Sequence, residues 1–419
     1  MTDRTAPNGH PTTGSAVRRH ALSGTGVGWG GSAGHVLDEI RRSDGLTRAQ
    51  IIEATGLSRS TVGSRLDTLL GAGLIGPVAT ASTPRGRPPD QFHFRRESGV
   101  LLVADAGATG VRVALTDLAG NIRRETRSAL DVATGPKTWL GRVETLFDQV
   151  LEAERVTTDL VRGIGLALPG PVDFESGTVV SPPIMTGWDG YPIREWFADR
   201  FACPVVVEND ANAMALGEHR SAWSDRSSML MVKLATGIGS GIIAGGAIYR
   251  GSGGAAGDIG HIQITPRGEG EPPRCRCGNL GCVEAYAGGW ALVRDLNAGG
   301  RAVNSTSEVV ALGAAGDPLA TTLLRRAGRL VGIALSDAVS LLDPGVVVIG
   351  GELAAAEVHL FAGIRESVYG RSLPLATRRL QVVPAALGDS SGVAGLSAVL
   401  TDHIFAPDRI DTYLAGRAD

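Results

Sequence analysis

Three of the four cysteines in this 419-residue chain, Cys275, Cys277 and Cys282, share one short stretch, and His261 stands a loop upstream of them. Three thiolates and an imidazole are the donor set of a tetrahedral zinc ion. Four protein ligands leave no position for water, so a site of this kind is structural. Two carboxylates, Asp258 and Glu284, lie within a few residues of these ligands, and a metal that fixes the loops also fixes them. Glu269 and Glu271, in the Gly/Pro-rich connection, read as solvated. Asp105 and Asp210 each follow an apolar run, and α/β proteins place chemistry just beyond the C-terminal ends of their strands. Asp210 can also N-cap the helix predicted over 211–220, and the two roles are compatible. Between two further strands, Thr236-Gly237-Ile238-Gly239-Ser240-Gly241 offers bare backbone amides able to cradle phosphate. Gly350-Gly351-Glu352 allows a close backbone approach to a flat ligand.

The elements that must position these groups are α/β in pattern. Strands are predicted over 100–104 and 111–116, with a third after the turn Asp117-Leu118-Ala119-Gly120-Asn121. A helix over 137–154 follows, with Leu140, Val143, Phe147, Val150 and Leu151 on one side, and then a strand over 163–168. Meander, helix and buried strand make the core of a ribonuclease-H-like lobe. Val205 to Val207 form another buried strand, ending at Asn209-Asp210. A long helix over 318–342 leads to a strand over 346–349, and a last helix near 392–401 returns to the first lobe.

The N-terminal part has a different character. Residues 1–33 are rich in Gly, Ser, Thr and Pro without periodicity and read as a disordered tail. From 34 to 96, three helices are predicted: one marked by Val36, Leu37 and Ile40, one opening on the capping box of Thr47 and Gln50, and one over 59–71 capped by Ser58. The last carries Val62, Leu66, Leu69 and Leu70 on one stripe and Arg59, Ser60, Thr61, Ser64 and Arg65 elsewhere. Two helices joined by a Gly-containing turn form a helix-turn-helix. A three-helix bundle with a solvated face is the alternative, and the hairpin that follows opposes it, because Arg85 and Arg87 stand among Pro84, Pro88 and Pro89 at the tip of a wing. Arg48, Ser58, Arg59, Ser60, Thr61, Ser64, Arg65, Arg85 and Arg87 are the candidate DNA contacts. This segment holds nine arginines against six acidic residues, while the whole chain has a net charge of −3. A local basic face on an acidic protein fits a small DNA-binding module joined to something else.

Composition bounds the rest. The length calls for two or three folded units. No apolar run reaches the roughly 18 residues of a membrane span, the N-terminus lacks a secretory pattern, and clustered thiols suit a reducing compartment. A cytoplasmic protein without membrane association is expected. Cys203, beside Pro204 at the start of an apolar strand, reads as a core residue.

Asn209-Asp210-Ala211-Asn212, Gly257-Asp258-Ile259-Gly260-His261 and Cys275-x-Cys277-Gly278-x-x-Gly281-Cys282-x-Glu284 together resemble the ROK family of repressors, open reading frames and sugar kinases. The similarity runs from Gly34 onward. Members with an N-terminal winged helix are sugar-responsive regulators of the xylose-repressor and N-acetylglucosamine-repressor type. The resemblance implies a winged helix-turn-helix over 34–96 and a two-lobed actin-like sugar kinase fold over 97–419, whose first lobe covers about 97–210. It implies sugar contacts by Asn209, Asp210, Asp258, His261 and Glu284, with Asp210 the general base in a kinase. It also implies a structural zinc ion on His261, Cys275, Cys277 and Cys282. Phosphate contacts, if retained, fall to Asp105, Gly107, Thr109, Thr236, Gly237, Gly239, Gly350 and Gly351, with ATP and Mg2+ as cofactors only in that case. Three positions depart from the family pattern. Ala108 adds a Cβ in the first phosphate turn, a cost if its φ must be positive; Ser240 replaces a glycine in the second; Asp258 replaces the usual Glu. Damaged ATP contacts beside a kept sugar site are what a sensor descended from a kinase presents. The expected function is therefore a regulator, in the sense of a repressor, binding operator DNA as a homo-oligomer (dimer or tetramer) under a sugar or sugar-phosphate effector. An active ATP-dependent sugar kinase with an attached DNA-binding module is the alternative.

Overall fold

Ser32 accepts a hydrogen bond from the His35 amide and starts α1 (Ala33–Arg41). The helix thus opens at Ala33, inside the stretch expected as tail. The computed structural model describes residues 31–77, 91–266 and 270–416. Most of the N-terminal tail, the wing arginines Arg85 and Arg87, and Glu269 lie outside the described residues. A short strand β1 (Leu46–Thr47) leads into α2 (Arg48–Thr55), whose first turn holds the capping box: the Gln50 amide donates to the Thr47 hydroxyl and the Thr47 amide to the Gln50 side chain. Gly56, in the left-handed region, ends the helix, and Ser58 caps α3 (Arg59–Gly71). Strands β2 (Ile75–Pro77) and β3 (Gln91–Phe94) complete a small sheet of order β1-β3-β2. Val36, Leu37, Ile40, Ile51, Val62, Leu66 and Leu69 are buried and form the module's centre.

The first lobe contains β4 (Val100–Ala106), β5 (Gly110–Asp117), β6 (Ile122–Ala129), α4 (Pro136–Glu154), β7 (Val161–Leu168), the hairpin β8 (Val172–Asp173) and β9 (Thr178–Val179), α5 (Ile193–Ala198) and β10 (Val205–Asn209), with α6 (Asp210–Ala222) after it. The second contains β11 (Ser228–Leu234), β12 (Ile238–Ala244), β13 (Ala247–Ile248), α7 (Val283–Ala287), α8 (Gly289–Ala298), α9 (Thr306–Ala314), α10 (Pro318–Leu342), β14 (Val346–Gly350), α11 (Glu357–Arg371), α12 (Pro374–Thr377) and β15 (Gln381–Pro384). Then come α13 (Ser391–Ile404) and α14 (Pro407–Ala415). The two large sheets run β10-β7-β4-β5-β6 and β13-β12-β11-β14-β15. Both are an antiparallel three-strand meander with two parallel strands added beside its first strand. The chain therefore builds one α/β plan twice. The parallel strands read as unbroken apolar runs, Val205 to Val207 and Val346 to Ile349, because both of their faces are covered.

Each lobe lends a helix to the other. The α6 helix leaves the last strand of the first sheet and packs on β11 and β12, while α13 leaves the last strand of the second and packs on β4 and β7. Leu101, Val103 and Val206 from one sheet and Met229, Met231 and Val348 from the other join Ala213, Val393 and Leu396 of the two helices in a single apolar core. The helices cross at backbone contact: a Cβ built on Gly395 would stand 1.6 Å from the Ala213 carbonyl oxygen. The outer faces are covered by α4 and α5 on the first sheet and by α10 and α11 on the second.

The predicted return of the last helix to the first lobe corresponds to α13, and beyond it α14, which the sequence pattern did not announce, packs on α1. The Gly34 amide donates to Asp411 Oδ1 at 2.9 Å, and Phe94 meets Phe405 edge to face with ring centroids 4.9 Å apart. The N-terminal module thus rests on α14 and the end of α13. Two local expectations change. Asn209, not Asp210, caps α6, since its Oδ1 accepts from the amides of Ala211 and Asn212. The Gly-rich turn is confined to residues 235–237, because Gly239, Ser240 and Gly241 are already on β12. Among the described residues no helix is long and apolar enough to cross a membrane.

Candidate functional site

Gly260 and His261 lie in a 3-10 turn (Ile259–His261), and the cysteines lie on the loop that closes at the start of α7. The four donor atoms of His261, Cys275, Cys277 and Cys282 fall within 4.8 Å of one another. Cys277 Sγ and Cys282 Sγ are 3.7 Å apart, and His261 Nδ1 is 3.6 Å from Cys275 Sγ. Zinc bonds of about 2.3 Å to sulfur and 2.1 Å to nitrogen, at the tetrahedral angle, place neighbouring sulfurs about 3.8 Å apart and sulfur and nitrogen about 3.6 Å apart. The cluster fits zinc and is far too open for a disulfide. These four residues would hold the ion, which supplies a cross-link and no open coordination position. With Nδ1 turned to the sulfurs, His261 keeps Nε2 for another partner.

The cluster braces Glu284. This carboxylate is 8% exposed; Oε2 accepts from the Ile238 amide at 2.9 Å and Oε1 from Trp290 Nε1 at 3.1 Å. A Cβ on Gly237 would stand 2.6 Å from Oε2 and would push this carboxylate out of place. The Ser240 hydroxyl donates to the Gly257 carbonyl at 2.6 Å and so holds the loop that ends at Asp258. Asp258 itself is exposed at the head of the 3-10 turn, with no hydrogen bond or ion pair among the described residues.

Across the sheets, Asn209 Nδ2 donates to the Gly170 carbonyl at 2.9 Å. Asp210 accepts from the Ala211 amide on Oδ1 at 2.7 Å and from Lys233 Nζ on Oδ2 at 2.5 Å. Burial works against the Lys233 charge, but Asp210 and Asp105 outweigh it and hold the ammonium above the usual lysine range. Burial pushes the Asp105 carboxyl up to about 6, with Asp210 adding to the rise and Lys233 and Arg112 opposing it. Asp105 belongs to β4 rather than lying beyond it, and it presses on the first turn of α13: a Cβ on Gly392 would stand 2.1 Å from its Oδ2. Three charged side chains from β4, β11 and α6 thus form one cluster. Lys233 was missed as a functional residue, although its rarity was a signal, because Lys137 is the one other lysine in the chain.

Glu208 and Arg250 were missed too. Arg250 Nε and Nη2 donate to Glu208 Oε2 at 2.9 and 2.6 Å, and its guanidinium lies 4.0 Å from the Phe174 ring centroid. Glu208 is 1% exposed and also accepts from Asn212 Nδ2. Since Arg250 follows β13 and Phe174 follows β8, this clasp ties the loop leading to Asp258 to the first lobe.

The remaining phosphate candidates are placed as follows. Gly107 and Thr109 occupy the β4–β5 turn, where the Ala108 and Thr109 carbonyls accept from Val132 and Leu130. Ala108 does not have positive φ, so its Cβ carries no backbone strain. Thr236 accepts from Trp290 through its carbonyl, and Gly350 ends β14. Gly351 has φ +85° and packs on the end of β11. In the winged helix, Arg48, Ser58, Arg59, Ser60 and Ser64 are exposed and Thr61 is half-buried. Ser58 accepts from the Thr61 amide at 3.1 Å. Arg65 is half-buried, and its Nε donates to the Gly31 carbonyl at 2.9 Å.

A model of the ROK family matches residues 102–403. The chain belongs to the ROK family. A winged helix-turn-helix DNA-binding model matches residues 34–75 of this ROK protein. The xylose repressor of Bacillus spizizenii is 28% identical over 88% of the chain and 94% of its own length. A crystal structure of a ROK family transcriptional regulator, a homolog of the E. coli MLC protein, superposes with a TM-score of 0.76 at 26% identity, covering 91% of this chain and 98% of that one. The ROK glucokinase from Streptomyces griseus in complex with glucose and AMPPNP gives 0.62 at 28% identity, covering 72% of this chain and 99% of the kinase. This ROK protein therefore pairs the two-lobed actin-like fold with an N-terminal winged helix and resembles the xylose repressors.

A pH dependence follows from Asp105. Its folded value of about 6 lies above the ordinary carboxylate range, so the associated stability is present below about pH 4 and lost as pH rises through about 6. Asp105→Asn removes that loss. The variant is expected to melt higher than the parent protein at pH 8, by an amount on the order of 2 kcal/mol, with the gain fading toward pH 4.5. Thermal melts across this range check it, and a pH-independent difference contradicts the assignment.

Proposed function

We propose that this ROK protein is a sugar-responsive transcriptional repressor. It binds operator DNA as a homo-oligomer through α3 and the wing, and a sugar or sugar phosphate in the cleft releases it. Asn209, Asp210, Asp258, His261 Nε2 and Glu284 contact the effector's hydroxyls, and zinc on His261, Cys275, Cys277 and Cys282 braces the loop that carries three of them. Arg48, Ser58, Arg59, Ser60, Thr61, Ser64, Arg65, Arg85 and Arg87 make up the DNA-facing set.

One observation carries the reading. Asp402 on α13 pairs with Arg220, near the far end of the helix that begins at Asp210, and also with Arg41 of α1 at 3.1 Å. Sugar closure that shifts α6 against α13 is thereby felt at the first helix of the DNA-reading module. Coupling of this kind is typically worth about 1 to 3 kcal/mol, a change in operator affinity of roughly 5- to 150-fold.

Operator binding of the full chain at fixed salt, with and without each member of a sugar panel, tests the proposal. Asp402→Ala is expected to keep the sugar-dependent rise in melting temperature while weakening the sugar's effect on operator affinity by roughly two- to fivefold, in keeping with partly exposed ion pairs. A panel in which no sugar changes either quantity defeats the reading.

A further inference from the structure

We infer that Lys233 is a resident cation that makes the cleft a binding site for an uncharged sugar, taken up without ATP or Mg2+ and released chemically unchanged. The inference rests on the reading of the cleft as a sugar site.

Phosphate transfer from ATP to a sugar hydroxyl needs a carboxylate free to take the hydroxyl's proton and a divalent cation to neutralise the phosphates. This chain's residues do not fit that requirement. Both oxygens of Asp210 are engaged, Oδ1 by the Ala211 amide and Oδ2 by Lys233 Nζ. A carboxylate whose two oxygens are already held by an amide and an ammonium is not free to receive the hydroxyl's proton. The Lys233 and Asp210 side chains are 17% and 7% exposed, so water screens the attraction weakly.

Asp105 adds the second half of the case. Its carboxylate senses both Lys233 and Asp210, and it sits against the first turn of α13. The ammonium thus serves two acidic groups at once, the charge pattern that a bound divalent cation satisfies in a phosphotransfer site. A cation supplied by the chain is permanent and needs no nucleotide to bring it. The same arithmetic selects the ligand. Asp105, Asp210 and Asp389 outnumber Lys233 and Arg112 in this cluster, and Asp258 and Glu284 add further negative charge to the proposed sugar set, so a phosphate ester is repelled while neutral hydroxyls find acceptors.

The test uses the full chain with MgATP, a panel of neutral sugars, and their phosphate esters. ADP release is measured with both substrates present, and thermal shift is measured with sugar alone. The expected result is a neutral sugar that raises the melting temperature without nucleotide, no sugar-dependent ADP release, and no response to millimolar Mg2+. Lys233→Ser leaves the two aspartates uncompensated and is expected to gain a Mg2+-dependent rise of about 2–4 °C. Lys233→Met, which keeps the stem's bulk, is expected to do the same and serves if the serine variant folds poorly. Sugar-dependent ADP release that Asp210→Asn abolishes overturns the inference, as does a stronger response to a phosphate ester than to its neutral sugar, or indifference of both Lys233 variants to Mg2+. A protein that ignores every sugar but gains the Mg2+ response on losing Lys233 defeats the sugar reading and upholds the resident cation.

Discussion

Cys277→Ser is expected to abolish zinc binding at the His261–Cys275–Cys277–Cys282 cluster and to lower the melting temperature of the full chain by more than about 5 °C, the shift that a loss of a few kcal/mol gives a protein of this size. The size of the effect comes from how little else holds the loop. Of residues 270–280, Cys275 is the one that is buried, and the local apolar cluster consists of Cys275, Cys282 and Ala285 with Cys277 and Trp290 beside it. Without a cation the thiols are poorly placed, and burial pushes Cys282 up to about 12. Loss of the cross-link is also expected to free Val283 and Glu284, loosening the Glu284 bonds to Ile238 and Trp290 and lowering affinity for the proposed sugar effector. Metal analysis should find one zinc per chain in the parent protein and in Cys203→Ser, whose thiol lies outside the cluster, and little in Cys277→Ser. Full zinc content in Cys277→Ser, or none in the parent protein, rejects the site.

Gly395→Ala is the second large effect. The added methyl would stand 1.6 Å from the Ala213 carbonyl oxygen, so α6 and α13 must separate by more than 1 Å along a contact that runs through the core of both lobes. Flexible side chains cannot absorb this, because the obstacle is backbone. Overpacking of side chains costs about 1–3 kcal/mol, and this variant is expected to lose at least 3 kcal/mol, or to fail to fold. Gly370→Ala is the control with the opposite sign. Its Cβ meets nothing within 4 Å on α11, and helix propensity gains up to about 1 kcal/mol. Denaturant melts of the two variants, run in parallel, decide the matter; equal midpoints would show that the crossing is looser than described.

What the sequence disclosed, it disclosed through local signals. Pro318 at the first helical turn, Asp317 ahead of it and a left-handed Asp343 at the end give α10 the bounds predicted for it. The Thr47–Gln50 box marks α2 for the same reason. The His-Cys spacing carried the metal cluster, since ligands close in sequence must be close in space. Signals that depend on distant partners were silent. Lys233 is the single charged residue on an otherwise mostly apolar strand, and its meaning lies in Asp210 and Asp105, which other elements bring to it. The α14 helix buries Ile410 and Asp411 meets Gly34, a partner from the far end of the chain that no local period reveals. Gly239 and Gly241 read as a phosphate turn, but a Cβ on Gly241 would lie 2.5 Å from the Ala211 carbonyl oxygen, so at least this glycine answers to the approach of α6.

The seat of α1 on α14 also orders events during synthesis. The winged helix leaves the ribosome before either lobe, and small helical units fold as they emerge, yet the helix that orients it is made after both lobes. A nascent chain therefore exposes the winged helix while the residues that complete its apolar core, Phe405 and Ile410, are still to be made. Under the proposed function, control by the effector waits for both α13, whose Asp402 pairs with Arg41, and α14, whose Asp411 holds Gly34, so a polypeptide interrupted before Ser391 would lack every described contact from these helices to α1.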